Sequence, residues 1–188
     1  MAGISEPQKS VVDATGFFVP RTNRGTIGPR GFAWSQTTMA HTFTSLTVHI
    51  VFSTKNRQRF IDADLKHRLL PYLGGTIRSH GGSLLRANTV EDHVHLLIDL
   101  PSTLSIAELV GKIKGSSSKW IHDTWQSRKT FGWQKGYGAF SVSQSNVPAV
   151  VRYIDAQEEH HRRRSFEEEF LNLLKRHRIE YDERFLWR

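Results

Sequence analysis

His93-Val-His-Leu-Leu-Ile-Asp-Leu100 reads as a β-strand, and its reading organises the chain on either side of it. Side chains alternate along a strand, so His93 and His95 point to one face while Val94, Leu96 and Ile98 point to the other. Leu84 to Val90 is a second strand, and the intervening Glu91-Asp92 is short enough for a hairpin. Further upstream, Thr47-Val-His-Ile-Val-Phe-Ser53 is β-branched and aromatic, another strand. A helical region starts at Asp62 with Leu65, Leu69 and Leu73 on one stripe; Pro71 and Gly74-Gly75 predict that it is kinked or split. Downstream, Ser105-Ile-Ala-Glu108 is a capping box, followed by an apolar stripe of Ile106, Leu109, Val110 and Ile113. Ala139 to Ser143 is a short strand. Ser145-Asn-Val-Pro148 opens a helix with Val147, Val150, Val151 and Ile154 inward. Ser165-Phe-Glu-Glu168 is a second capping box, opening a helix with Phe166, Phe170 and Leu174 inward and Lys175-Arg-His177 at its negative pole. The order β-α-β-β-α-β-α predicts an α+β, ferredoxin-like antiparallel sheet with helices packed over one face, plus a C-terminal helix.

Composition narrows the function classes. Twenty-six Lys and Arg against 18 Asp and Glu give the 188 residues a formal charge of +8, which points to a polyanion partner, nucleic acid first. There is no cysteine, so a disulfide scaffold, a thiol nucleophile and a Cys-based zinc site are all excluded. No apolar run approaches the ~18 residues of a membrane span, and a cytoplasmic location is expected. Residues 1–38 scatter glycines and prolines among Thr, Ser and Arg without a sustained period, and hold none of the ten histidines. They read as a flexible extension upstream of a start at Met39. Twenty-two of the 26 basic residues fall after Thr38, so the basic bias belongs to the remainder.

Several residues can carry chemistry. His93 and His95 on one strand face form a ready pair of metal ligands, or else two partly exposed histidines beside a turn. Tyr153 and Gln157 are four apart on the helix from Pro148 and share its face, at the edge of the Val150, Val151 and Ile154 stripe. A tyrosine with a pKa of about 10 is a weak nucleophile unless a metal polarises its electrophile. A Gln carbonyl can serve as a neutral third ligand. The residues four beyond Tyr72, Tyr137 and Tyr181 are Thr76, Ser141 and Phe185, so Tyr153 is the tyrosine best placed beside a ligand. His161 lies one turn beyond Gln157, but His160-His-Arg-Arg-Arg164 reads more simply as cations closing a helix. Candidate phosphate contacts are Lys55, Arg57 and Arg59 after the first strand, Lys112, Lys114 and Lys119 on the middle helix, and Arg162 and Arg163. Trp133, Tyr137 and Phe140 are expected to pack rather than to stack on bases.

These segments resemble the single-tyrosine HUH transposase family, the TnpA type of small insertion sequences, including REP-associated tyrosine transposases. HUH stands for His, bulky hydrophobic residue, His, here His93-Val94-His95. The resemblance is carried by Met39-Ala-His-Thr-Phe-Thr-Ser-Leu46, His49-Ile-Val-Phe-Ser-Thr-Lys-Asn56, Asp92-His-Val-His-Leu-Leu-Ile98 and Arg152-Tyr-Ile-Asp-Ala-Gln-Glu-Glu-His-His161, with a typical tail at Tyr181-Asp-Glu-Arg-Phe-Leu-Trp187. It implies an extension over 1–38, a catalytic domain over 39–164, and a C-terminal helix and tail over 165–188. It implies an endonuclease that cleaves and rejoins single-stranded DNA beside a hairpin, in DNA transposition. His93, His95 and Gln157 would hold Mg²⁺ or Mn²⁺, and Tyr153 would form a 5′-phosphotyrosine. No ATP is required, and no Gly-x4-Gly-Lys-Ser/Thr loop occurs. Members of the insertion-sequence type imply a homodimer able to set Tyr153 of one chain against the histidines of the other, whereas relatives at palindromic repeats can be monomers. Two competing classes are a non-catalytic, domesticated hairpin-binding protein on the same fold and a metal hydrolase unrelated to DNA. The first needs none of the four site residues; the second leaves the charge and Tyr153 unexplained.

Overall fold

The computed structural model describes residues 43–187, and the expectations for residues 1–38 and for Met39 lie outside them. Four strands form one antiparallel sheet in the order β2-β3-β1-β4: β1 Thr47–Ser53, β2 Ser83–Thr89, β3 His93–Asp99 and β4 Gly138–Ser141. In the β1–β3 register Ser53 faces His93, Val51 faces His95 and Thr47 faces Asp99. A bulge between Leu84 and Arg86 shifts the β2–β3 register, leaving Leu85 as the extra residue. The helices are α1 Ala63–Ser79, α2 Ile106–Thr124, α3 Val147–Asp155, α4 Gln157–His161, α5 Phe166–Arg176 and α6 Glu183–Leu186. The predicted order and fold class hold.

The main core lies on one sheet face. Val48, Ile50 and Phe52 of β1 and Val94, Leu96 and Ile98 of β3 pack there with Leu65, Leu69, Leu73 and Ile77 of α1 and Leu109 and Ile113 of α2. Helices were expected over this face alone, yet they cover both. On the opposite face Val51 and Phe140 pack with Phe166, Leu173 and Leu174 of α5, and α3 lies against β2 and β3. The reason is in the central strands. All seven residues of β1 and six of seven in β3 are buried, so neither face is left for water. Histidines alternating with aliphatics disguise that second buried face.

Two helices differ from their sequence reading. α1 runs unbroken through Pro71. Pro71 and His67, whose carbonyl loses its intrahelical partner, both face solvent, so water can take over that hydrogen bond. At Gly74 α1 passes close to β2: a Cβ there would lie 3.1 Å from Leu84 Cδ2. The helix from Pro148, by contrast, is not continuous through Gln157. α3 ends at Asp155, Ala156 leaves helical geometry (ψ 11°), and α4 starts afresh at Gln157. β2 stabilises the break, because Asn88 Nδ2 donates to the Ile154 carbonyl (2.8 Å) and Arg86 pairs with Asp155. A carbonyl that a continuous helix would have used is thus satisfied by the sheet.

Lys114, expected among the phosphate contacts, is spent internally. Its Nζ donates to the carbonyls of Gln134 (2.8 Å), Lys135 (3.3 Å) and Gly136 (2.6 Å), and sits 5.0 Å over the Phe52 ring. Burial pushes its pKa down to about 8, still protonated at neutral pH. It pins the loop leading into β4. Lys114→Met keeps the aliphatic stem but strands three acceptors, so urea unfolding is expected to show a loss of about 1–2 kcal/mol. A loss below about 0.3 kcal/mol would mean that the loop holds itself. Trp133 and Phe140 pack as expected: Trp133 meets Phe52 edge-on and donates to Ser117 Oγ (2.9 Å), and Phe140 is buried. Tyr137 remains exposed.

Candidate active site

The second sheet face holds a buried polar cluster. β3 presents His93 and His95, both fully buried, with β1 supplying His49 beside them. Each imidazole is oriented from behind. His93 Nδ1 donates to Asp92 Oδ1 (2.6 Å), which directs Nε2 into the cluster. His95 Nδ1 lies 3.0 Å from His49 Nε2, and the two rings stack with centroids 5.2 Å apart. Burial pushes the pKa of His49 down to about 3 and that of His95 to about 4. Burial also opposes charge on His93, but the Asp92 and Glu169 carboxylates outweigh it and raise its affinity for a proton. The two histidines of one motif therefore have opposite tendencies, set by their partners.

The helices bring the other groups. Gln157, fully buried, heads α4, and the break at Ala156 lets its side chain turn toward the sheet. Tyr153 on α3 stands edge-on to His95, 5.9 Å between centroids. Between them enters a residue the sequence reading missed. Glu169 of α5, 1% exposed, accepts hydrogen bonds at Oε1 from the Tyr153 hydroxyl and from Gln157 Nε2 (3.0 Å). Its Oε2 lies 3.4 Å from His95 Nε2, 3.5 Å from His93 Nε2 and 3.0 Å from His161 Nε2. Burial alone would raise its pKa, yet the contacts to His161, His93 and His95 prevail and hold it far below the usual carboxylate range. Burial and the Glu169 charge keep the Tyr153 phenol protonated, well above its usual range. His161, assigned by its sequence to closing a helix, is drawn into the cluster instead, its ring 4.4 Å from that of His93.

A signal for Glu169 was present. It lies on the inward stripe of α5 with Phe166, Leu173 and Leu174, an acidic residue on an apolar face. The run Glu167-Glu168-Glu169 conceals it, because the first two glutamates are a surface ion pair and a cap. The boundary expected at residue 164 consequently cuts through the cluster, since α5 contributes both Glu169 and Phe166, whose ring packs 4.6 Å from His93.

The donor set suits a divalent cation. His93 Nε2, His95 Nε2 and Gln157 Oε1 are buried without hydrogen-bond partners, as is His160 Nε2 among the described residues. Buried polar atoms left in that state are costly unless something binds them. Donor atoms of His93, His95, His161 and Glu169 lie within 4.8 Å of one another. Imidazole with amide and carboxylate oxygens fits Mn²⁺ readily and Mg²⁺ through its oxygens.

The candidate phosphate contacts separate into two groups. Lys55, Arg57 and Arg59 follow β1 at the His93 end of the sheet. Arg59 and Arg162 line a cleft of about 700 Å³ that also reaches Asp92, His161 and Arg164, together with Lys66, which the sequence reading did not single out. Most of these cations are paired: Arg57 with Glu167, Arg59 with Glu91, Lys66 with Glu158, and Arg162 and Arg163 with Glu159. Lys112 and Lys119 sit exposed on α2, across the sheet from the histidines, and Lys119 pairs with Asp123. A second cavity, about 330 Å³, opens on Tyr153 and is lined by His49, Phe140, Asn146, Arg176 and His177.

The family model "Transposase IS200 like" matches residues 42–157. The chain belongs to the IS200-like transposase family. The transposase for insertion sequence element IS200 of Salmonella typhimurium is 26% identical over 124 residues, covering 63% of this chain and 81% of that one. The ISDra2 transposase TnpA of Deinococcus radiodurans is 23% identical over 117 residues, 60% of this chain and 84% of the relative. Two solved structures share the fold. A structure described as a transposase from Deinococcus radiodurans aligns with a TM-score of 0.52 at 21% identity, over 62% of this chain and 94% of that one. A REP-associated tyrosine transposase bound to a REP hairpin aligns at 0.51 and 16%, over 63% and 70%. The family match ends at Gln157, so His161 and Glu169 of this IS200-like transposase lie beyond it.

Proposed function

We propose that this transposase cleaves and rejoins single-stranded DNA beside hairpins through a 5′-phosphotyrosine on Tyr153. The observation that carries this reading is the joining of Tyr153 to the His93, His95 and Gln157 cluster within one buried constellation. His93, His95 and Gln157 would hold Mg²⁺ or Mn²⁺, which as a Lewis acid withdraws charge from the phosphate oxygens. The Tyr153 oxygen attacks phosphorus and the bond to the 3′ oxygen breaks. Its phenolic proton is released and the departing oxygen gains one, leaving a free 3′-hydroxyl. Attack by a 3′-hydroxyl of another strand reverses the step and frees Tyr153. The phosphodiester energy is retained, so no nucleotide cofactor is needed. Burial of the phenol suits this cycle, because an idle tyrosinate would be exposed to other electrophiles.

The DNA partner is supported by the basic charge and by the solved relative with its REP hairpin. Arg59, Lys66, Arg162 and Arg164 line the cleft beside His161, and a phosphate backbone lying there would take the first three from their partners Glu91, Glu158 and Glu159. The family resemblance implies a homodimer in which Tyr153 of one chain can serve the histidines of the other, and mixing Tyr153→Phe chains with His95→Ala chains, which restores adduct formation only if the site is shared, tests it. Among the described residues no helix is long and apolar enough to cross a membrane, in keeping with a DNA-acting protein of the cytoplasm.

The test uses the full chain with single-stranded oligonucleotides from both strands of the DNA flanking its coding sequence, each carrying its palindromes. With Mn²⁺ or Mg²⁺, one strand is expected to give a covalent protein–DNA species that survives denaturing electrophoresis and disappears with chelator. Hairpin binding without any adduct on either strand would favour the non-catalytic hairpin-binding protein.

A further inference from the structure

We infer that Glu169 couples the nucleophile to the metal, its Oε2 adding a carboxylate to the His93, His95 and Gln157 donor set while its Oε1 positions the Tyr153 hydroxyl. The inference rests on the reading of this cluster as the metal-dependent site of strand cleavage, and it goes beyond the histidine pair and glutamine that the family motif supplies.

Four observations converge on it. First, a carboxylate 1% exposed is costly to bury unless its oxygens are fully used, and among the described residues no Arg or Lys pairs with this one. Among the described residues its polar side-chain partners are His93, His95, His160, His161, Gln157 and Tyr153, all of them groups of the cluster. Second, the spacing is that of co-ligands. Donors on adjacent corners of an octahedron with bonds near 2.1 Å are separated by about 3 Å. Glu169 Oε2 lies 3.0–3.5 Å from three imidazole nitrogens, whereas the His93 and His95 atoms lack hydrogen-bond partners. Third, Glu169 decides which end of the Gln157 amide faces the cluster. By accepting from Nε2 it leaves Oε1, the only end able to ligate a cation, buried and unsatisfied.

Fourth, the helix that carries Glu169 is held in place from its first turn. Ser165 and Glu168 form the capping box, with Ser165 Oγ accepting from the Glu168 N–H (3.2 Å) and Glu168 Oε2 from the Ser165 N–H (2.9 Å). Phe166 packs on His93. The carboxylate therefore arrives one turn into a fixed element rather than on a mobile loop. Chemically it supplies what the motif lacks. Two imidazoles and an amide are neutral and nitrogen-rich; one carboxylate adds an anionic oxygen of the kind Mg²⁺ and Mn²⁺ select. Sharing that carboxylate with the phenol would keep Tyr153 beside a cation held there.

The experiment measures Mn²⁺ binding to the full chain without DNA, by titration calorimetry and by the loss of free Mn²⁺ signal in electron paramagnetic resonance. Glu169→Gln, nearly isosteric, is expected to bind Mn²⁺ at least tenfold more weakly, and Glu169→Asp, which keeps the carboxylate, more tightly than the Gln variant. Wild-type affinity in Glu169→Gln, or equal weakening in both variants, overturns the ligand role. At saturating Mn²⁺ the single-turnover rate of adduct formation in Glu169→Gln is expected to fall about tenfold with DNA affinity within twofold. An unchanged rate overturns the positioning role. The outcomes separate from those of the function itself: a wild-type chain that binds Mn²⁺ through Glu169 yet forms no adduct refutes strand cleavage, whereas an adduct-forming chain indifferent to Glu169 refutes this inference alone.

Discussion

Tyr153→Phe is expected to abolish the covalent adduct on hairpin-bearing single strands while hairpin affinity stays within about threefold. The substitution deletes one oxygen, the proposed nucleophile, so no residual pathway of the same kind should remain. The ring keeps its place, edge-on to His95 at 5.9 Å and to His49 at 6.0 Å. Glu169 Oε1 keeps the Gln157 amide as a donor, so the cluster is not left with a bare carboxylate oxygen. Thermal stability should therefore change little, and a loss of adduct cannot be ascribed to unfolding. The other tyrosines are poorly placed to substitute. Tyr72 donates to the Ser116 carbonyl on the far face, and Tyr137 is an exposed loop residue. A Phe variant that still forms the adduct at a measurable rate would sink the nucleophile assignment and turn attention to Tyr181.

The second large effect is expected from His95. Its Nε2 is buried without a hydrogen-bond partner, 3.4 Å from Glu169 Oε2, and its Nδ1 is held by His49, so the ring is fixed with Nε2 facing the cluster. His95→Ala should lower cleavage by at least about 100-fold under both Mg²⁺ and Mn²⁺, because a lost ligand weakens both binding and Lewis acidity. Raising Mn²⁺ should recover little, since the remaining groups cannot rebuild the donor set. The substitution also empties a ring-sized space and frees His49, so His95→Gln is the companion variant. It fills most of the volume and should be equally inactive while unfolding near the wild-type temperature. Undiminished cleavage in either variant with both metals would remove His95 from the metal site.

Much of the fold was legible because it rests on local rules. The capping boxes at Ser105 and Ser165 form as read, the Glu91-Asp92 hairpin joins the two strands it was expected to join, and the β-α-β-β-α-β-α order is observed. Pro71 does not split α1, because on a solvent-facing stripe the lost hydrogen bond can pass to water and the helix continues. Gln157 is the opposite case. Spacing from Tyr153 suggested one helix, but Asn88 and Arg86 of β2 compensate a break between them, and the two side chains meet through Glu169 instead.

The candidate phosphate contacts show the same division. Composition places 26 cations on the chain but cannot say which are spent at home. Lys114 turned inward to three carbonyls, and Arg57 found Glu167 and the Trp187 ring. Such pairings depend on residues tens to more than a hundred positions apart, which no short window contains.

What the sequence by itself determined is whatever repeats with a period or caps a turn: the strands, the helices, the shared face of His93 and His95, and the absence of any thiol. Backbone geometry dictates these residue by residue. Only the tertiary structure decided that the second sheet face is covered, that His161 turns inward, and that Glu169 closes the cluster. The physical reason is burial. A carboxylate among three glutamates is one more surface charge until α5 docks on Val51 and Phe140 and carries it out of water, where four imidazoles, an amide and a phenol are the partners it can find.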